Sequence, residues 1–145
     1  MGLWERLFGA KTAQPAELKR GRGWTFDVVG ESQYQEPLVR YYRKHKGDGS
    51  NLFVDSVILR TENDNPHDPN AVRVELEGRT VGFLPRAKAI EYRSALADSD
   101  ALESGATCSA KITGGFQLTE DIKGRDRAHF GIKLNLSWPP RLANT

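Results

Sequence analysis

Asn63-Asp64-Asn65-Pro66-His67-Asp68-Pro69-Asn70, followed by Ala71-Val72-Arg73-Val74-Glu75-Leu76-Glu77-Gly78-Arg79-Thr80-Val81-Gly82-Phe83-Leu84-Pro85, is a polar loop that runs straight into a hairpin. Val72, Val74 and Leu76 alternate with Arg73, Glu75 and Glu77, the period of a half-buried strand. Glu77-Gly78 predicts a two-residue turn, with Gly78 taking the positive φ that such turns demand. That turn would set Leu76 opposite Arg79, Val74 opposite Val81 and Val72 opposite Phe83. Phe83 would then share a face with Val72, while Gly82 would face the other way and leave room for a ligand to approach closely. Pro85 ends the strand and suits the first turn of a helix.

The loop half is made almost wholly of turn formers. Its two prolines fix their own φ and push Asn65 and Asp68 toward extended geometry. A loop this stiff can present His67 and Asp68 in a fixed pose, which marks it as a candidate site. The same composition also suits a plain connector whose Asx side chains satisfy its own backbone.

Working outward, the chain has 145 residues, enough for one ordinary domain with a buried core and a short appendage. A formal charge of +2 permits nucleic acid as a partner without requiring it. The single cysteine, Cys108, excludes an internal disulfide and any Cys-rich zinc site, and it alternates with Ala110 and Ile112 as a small core residue would. No apolar run approaches membrane-spanning length and no signal peptide opens the chain, so a cytoplasmic protein without a membrane partner is expected.

Leu3, Trp4, Leu7 and Phe8 give residues 1–9 the spacing of a short amphipathic helix, and Ala10 to Arg22 reads as a linker with a basic Lys19-Arg20-Gly21-Arg22 cluster. Residues 1–22 therefore stand apart from a domain at 23–140, with 141–145 as a tail. Within the domain, strands are predicted at Trp24 to Glu31, Leu52 to Thr61, the hairpin, Thr107 to Thr113 and Phe130 to Leu136. In a helix following Pro37, Leu38, Tyr41, Tyr42 and His45 share one face, while Arg40, Arg43 and Lys44 form a basic one. A second, from Pro85 to about Ala97, is expected to turn Ala87, Ile90, Ser94 and Ala97 inward, with Ala89 and Leu96 widening that stripe. Asp98 to Gly105 reads as a polar connector and Gln117 to Arg127 as a charged loop. About six strands with two inserted helices argue for a mainly β chain curled into a small OB-like or SH3-like antiparallel barrel.

Three blocks resemble the HIRAN domain: Val28-Val29-Gly30-Glu31-Ser32-Gln33-Tyr34-Gln35, Asp64 to Val74, and Gly78-Arg79-Thr80-Val81-Gly82-Phe83-Leu84-Pro85-Arg86. The resemblance spans roughly Phe26 to Phe116 and looks like the stand-alone form found in bacteria and phages. It implies an OB-like barrel, in agreement with the strand count. It also implies a DNA-binding module that holds the 3′-hydroxyl end of a single strand, as family members do in helicase-like ubiquitin ligases that remodel replication forks. Single-stranded DNA or 3′ ends, together with a helicase or repair protein, are the partners it implies.

Carried over by position, the family's loop falls on Asn65, Pro66, His67 and Asp68, with Asp68 accepting from the terminal hydroxyl and His67 stacking where a Tyr is common. Its tip after the first strand falls on Ser32, Gln33 and Tyr34, and Phe83, Arg86 and Phe116 match further DNA contacts. The residue chemistry fits: Tyr34, His67 and Arg86 supply platforms and a cation, and a carboxylate beside a polyanion makes sense where it reads a donor. No cofactor, metal or catalytic group is expected, since His67-Asp68 lacks an evident nucleophile and the three histidines lack ligand spacing. The rival reading is a protein-binding adaptor whose barrel positions residues 1–9 and the basic segment on a partner.

Overall fold

The computed structural model describes residues 14–114 and 130–144. Its strands are β1 (Ala16–Glu17), β2 (Phe26–Asp27), β3 (Leu52–Thr61), β4 (Val72–Leu76), β5 (Arg79–Phe83), β6 (Ala106–Thr113) and β7 (Gly131–Asn135). Its helices are α1 (Gln35–Lys44), α2 (Arg86–Ala95) and the short α3 (Ala101–Ser104), with a 3₁₀ turn at Glu31–Gln33. The sheet order is β2-β7-β6-β3-β4-β5, antiparallel throughout, with β1 added parallel to β6 beyond the end of β7. This is a mainly β, antiparallel, curled architecture, as the strand pattern predicts.

The sheet curls until its two edges meet. After β2 the chain passes through Val28, and Val29 pairs with Phe83 at the end of β5. This single bridge ties the two edges together at the end of β5 and shortens the exposed ladder that an open sheet would present. Inward-facing residues of β3, β4, β6 and β7 fill the centre: Val54, Val57, Leu59, Val72, Val74, Leu76, Ala110, Ile112, Ile132 and Leu134 are each at most 2% exposed. Tyr42 of α1 enters this core beside Phe130, with ring centroids 4.9 Å apart. Its hydroxyl donates to the Ser50 carbonyl and accepts from the Gly49 N–H, so α1 is fixed in its seat.

The hairpin turn forms at Glu77-Gly78, with φ of 49° and 81°, the paired positive values of a type I′ turn. Leu76 faces Arg79 as expected, but the register then slips. Val81 is an extra residue, so Val74 faces Gly82 and Arg73 faces Phe83, in place of the expected Val74–Val81 and Val72–Phe83 pairs. Phe83 is thereby moved off the core face and onto the outer one.

Four other expectations change. The first strand is only Phe26–Asp27, because Gly30 at φ 81° turns the chain into the 3₁₀ segment. The expected linker is, from Gln14 onward, part of the body: Ala16–Glu17 pairs with β6, Leu18 is 2% exposed, and Leu18 pairs in turn with Leu142 of the expected tail. The inner stripe of α2 is Ala89 and Tyr92, continued by Leu96, while Ala87, Ser94 and Ala97 are exposed and Ile90 is 50% exposed. Tyr92 and Leu96 together offer more apolar area than Ile90, and burial follows the larger face. The connector after Asp98 contains α3. Residues 1–9 and the loop Gln117 to Arg127 lie outside the described residues. Among the described residues no helix is long and apolar enough to cross a membrane.

Candidate nucleic-acid interface

The loop between β3 and β4 is built from its own side chains. Asn65 Oδ1 accepts from the backbone N–H groups of His67 (2.8 Å) and Asp68 (3.1 Å). Asp68 Oδ1 accepts from the Asn70 N–H at 3.0 Å, and the Asp68 carbonyl accepts from Ala71 at 3.0 Å. Two nested Asx turns thus consume the loop's own donors, the behaviour that makes Asn and Asp turn residues.

The loop is also held from outside. Asn65 Nδ2 donates to Glu62 Oε1 at 2.9 Å. Glu62 Oε2 lies 3.4 Å from Arg73, Arg73 pairs with Glu75, and Glu75 pairs with Arg60 at 3.1 Å. A ladder of alternating charge on the outer face of β3 and β4 therefore ends on the amide that shapes the loop. From the other side, Arg93 of α2 donates to the carbonyls of Asn70 (2.8 Å) and Ala71 (2.9 Å) and to Asn63 Oδ1 (2.8 Å). Arg93 and Asn63 also line a cleft of about 470 Å³ behind the loop.

The expected site residues fall into two groups. In the first, Asn65, His67, Asp68 and Arg86 come together: Arg86 Nη2 donates to the His67 carbonyl at 3.0 Å, and its Nε stands 3.5 Å from Asp68 Oδ2. The Asp68 side chain is 20% exposed and that of Arg86 71% exposed, so the carboxylate sits in a recess with a cation at its mouth. His67 itself is exposed. In the second group, Tyr34 and Phe83 lie with ring centroids 6.1 Å apart, tilted by 56°. Both rings are half-buried and Gln33 beside them is exposed. The two groups are joined through the β5–α2 corner, since Phe83 is the last residue of β5 and Arg86 the first of α2. Phe116 lies outside the described residues.

Gly82 has a different role from the one expected. A Cβ there would stand 2.4 Å from Val28 Cγ1 and 2.9 Å from the Val29 carbonyl oxygen. The close approach it permits is that of Val28 and Val29, just after β2, not that of a ligand.

The residues missed from sequence are those that hold the site. Glu62, Arg73 and Arg93 looked like ordinary charged surface, and only their long-range contacts distinguish them. Val29, 44% exposed, joins Phe83 on the outer face through the seam pairing. Chemically, the assembly offers an oriented carboxylate that can accept from one donor, an adjacent exposed guanidinium for an anion, and an aromatic step for a flat group. Among the described residues no group of three His, Cys, Asp or Glu side chains is placed to hold a metal ion.

Comparisons with known proteins agree with the blocks read from the sequence. The family model of the HIRAN domain matches residues 29–111, which hold the aromatic step, the loop and Arg86. Among curated proteins no match was found. Among solved structures, the crystal structure of the HIRAN domain of human HLTF aligns over 60% of this chain and 74% of its own, at 16% identity and a TM-score of 0.31. That likeness is too loose to bear on individual residues. The family match covers more than half of the chain, and the chain belongs to the HIRAN domain family.

Proposed function

We propose that this chain is a binding module, not an enzyme, that takes single-stranded DNA by its 3′-hydroxyl end and acts in replication or repair alongside a helicase or repair protein in the cytoplasm. Membership of the HIRAN family supports the DNA-binding part of this reading. The end-recognition part rests on one observation: Asp68 has one carboxylate oxygen occupied by the Asn70 N–H and the other facing outward next to Arg86. A carboxylate repels phosphate and attracts a hydroxyl donor, whereas the guanidinium beside it attracts phosphate. A terminal nucleotide carries both groups, a free 3′ hydroxyl and a 5′ phosphate. Tyr34 and Phe83 then supply a platform for a base, a contact that tolerates any sequence.

The test compares matched single strands ending in a 3′ hydroxyl or a 3′ phosphate. A charge-assisted hydrogen bond of roughly 1.5–3 kcal/mol predicts a tenfold to hundredfold preference for the hydroxyl end. Asp68→Asn keeps the shape and should bind both ends more nearly alike. A wild type with no preference ends this reading and leaves the adaptor alternative, which relies on residues 1–9 and the basic segment Lys19 to Arg22.

A further inference from the structure

We infer that the exposed face of α1, together with Arg79 at the hairpin tip, is the track along which the phosphates of that DNA strand lead away from the terminal recess; this inference rests on the DNA-binding reading above. Tyr34 is the N-cap of α1 and its ring lies against Phe83, so the helix begins at the aromatic step and points away from it. Ten residues at about 1.5 Å each give the helix a length of roughly 15 Å, more than a single nucleotide needs. The helix cannot swing, because Leu38 and Tyr42 are buried beneath it.

Arg40, Arg43 and Lys44 stand exposed along this face and Lys46 follows it. Arg79 reaches the same place from the hairpin. The Glu36 carboxylate lies 2.9 Å from Arg40 and 3.7 Å from Arg79, and Glu77 lies 3.2 Å from Lys44. Helix and hairpin tip are therefore one surface, with five cations set against Glu36, Glu77 and Asp48. Asp48 is turned onto its own loop by bonds from the Ser50 N–H and hydroxyl.

A solvated face with internal ion pairs is the plain alternative. The pairs here are weak: Arg40 and Glu36 are each 67% exposed and Lys44 is 60% exposed, so the partners give one another up at little cost. A polyanion that releases counterions on binding competes well for such cations.

The experiment uses the full chain, the variant Arg40→Gln/Arg43→Gln/Arg79→Gln, and two 3′-hydroxyl probes, a dT trimer and a dT 12-mer. Affinities are measured between 50 and 200 mM salt. Three lost phosphate contacts at roughly 0.7 each should make the 12-mer's log–log salt slope shallower by about two, so that the loss of affinity over this range shrinks by roughly twentyfold. The trimer's affinity and the preference for a free 3′ end should stay as in the wild type. If the triple variant is poorly folded by circular dichroism, Arg43→Gln alone should reduce the slope by about 0.7. An unchanged 12-mer slope overturns the track, as does a wild type that binds the 12-mer no more tightly than the trimer. End preference with an unchanged slope removes the track and keeps the terminal recess; a falling slope without end preference does the reverse. A wild type that binds neither probe overturns both.

Discussion

Val29 and Phe83 exchange both backbone hydrogen bonds, each N–H reaching the other's carbonyl at 2.8 Å. The aromatic half of the candidate site is therefore mounted on the seam that joins the two edges of the sheet. Anything that opens the seam also displaces Phe83 from Tyr34.

Gly82→Ala tests this coupling. Its Cβ would press into Val28 and the Val29 carbonyl, and backbone cannot step aside as a flexible side chain can. A loss of about 1–3 kcal/mol in urea unfolding is expected, the usual range for overpacking. DNA affinity should fall with it. A variant as stable as the wild type would show that the seam is looser than described.

Arg93→Ala should free the loop while leaving the barrel folded. Three donated bonds disappear at once, from an arginine that touches neither Asp68 nor the aromatic pair. Global stability should drop by about 1–2 kcal/mol, discounted because the site is partly wet. Hydrogen exchange at the loop amides should rise well before exchange in β4. Equal protection in both proteins would mean that the Asx turns alone hold the loop.

Asn65→Ala attacks the same loop from within. The His67 and Asp68 amides lose their acceptor and Glu62 loses its donor. Stability should change by only about 1 kcal/mol, since water can replace these bonds. Preference for a 3′-hydroxyl end should nonetheless fall close to one, because Asp68 is no longer preorganised. An unaltered preference would show that the ligand itself can order the loop.

Arg86 has two jobs that substitutions can separate. Arg86→Lys keeps the positive charge but loses the planar donor set that spans the His67 carbonyl and Asp68. The salt slope of DNA binding should survive while the end preference weakens. Arg86→Ala should reduce the slope by about 0.7 as well, one phosphate contact's worth. Two identical slopes would place Arg86 outside the footprint.

Alkaline pH should loosen the fold through groups buried in neutral form. Burial pushes the Cys108 thiol up from 9.0 to about 12 and raises Tyr92 as well. Above pH 9 the unfolded chain loses the thiol proton while the folded chain keeps it. This contribution is complete below pH 9 and is lost as pH rises toward 12. Cys108→Ala should be less steeply destabilised than the wild type between those values in pH-dependent urea unfolding. Parallel curves would assign the alkaline loss to other groups.

How much of this was legible depended on how local each signal was. The Glu77-Gly78 turn, the full extent of β3 and the alternation of Phe130, Ile132, Leu134 and Leu136 are each written within a few residues, and each appears where expected. The bulge at Val81 is not, because Gly82 signals a close approach in this strand without saying which residue is doubled. The partners that Gly82 and Phe83 meet beyond it, Val28 and Val29, lie some fifty residues earlier. Ala16–Glu17 escaped notice because two residues carry no periodicity, and its place is set by the stretch of β6 that β7 leaves free. For the site, resemblance and chemistry pointed to Asn65, His67, Asp68 and Arg86, which do converge. The arginine and glutamate supports were hidden, since a charged side chain reads as solvated until its partner is known.

The extra residue at Val81 inverts the parity of the strand that follows it. Straightening the bulge without changing any residue would set Phe83 opposite Val72 on the inside and Gly82 opposite Arg73 on the outside. The binding face is thus encoded partly by a count of residues, not only by their kinds. Anyone transplanting this site onto another barrel would have to carry the miscount along with the side chains.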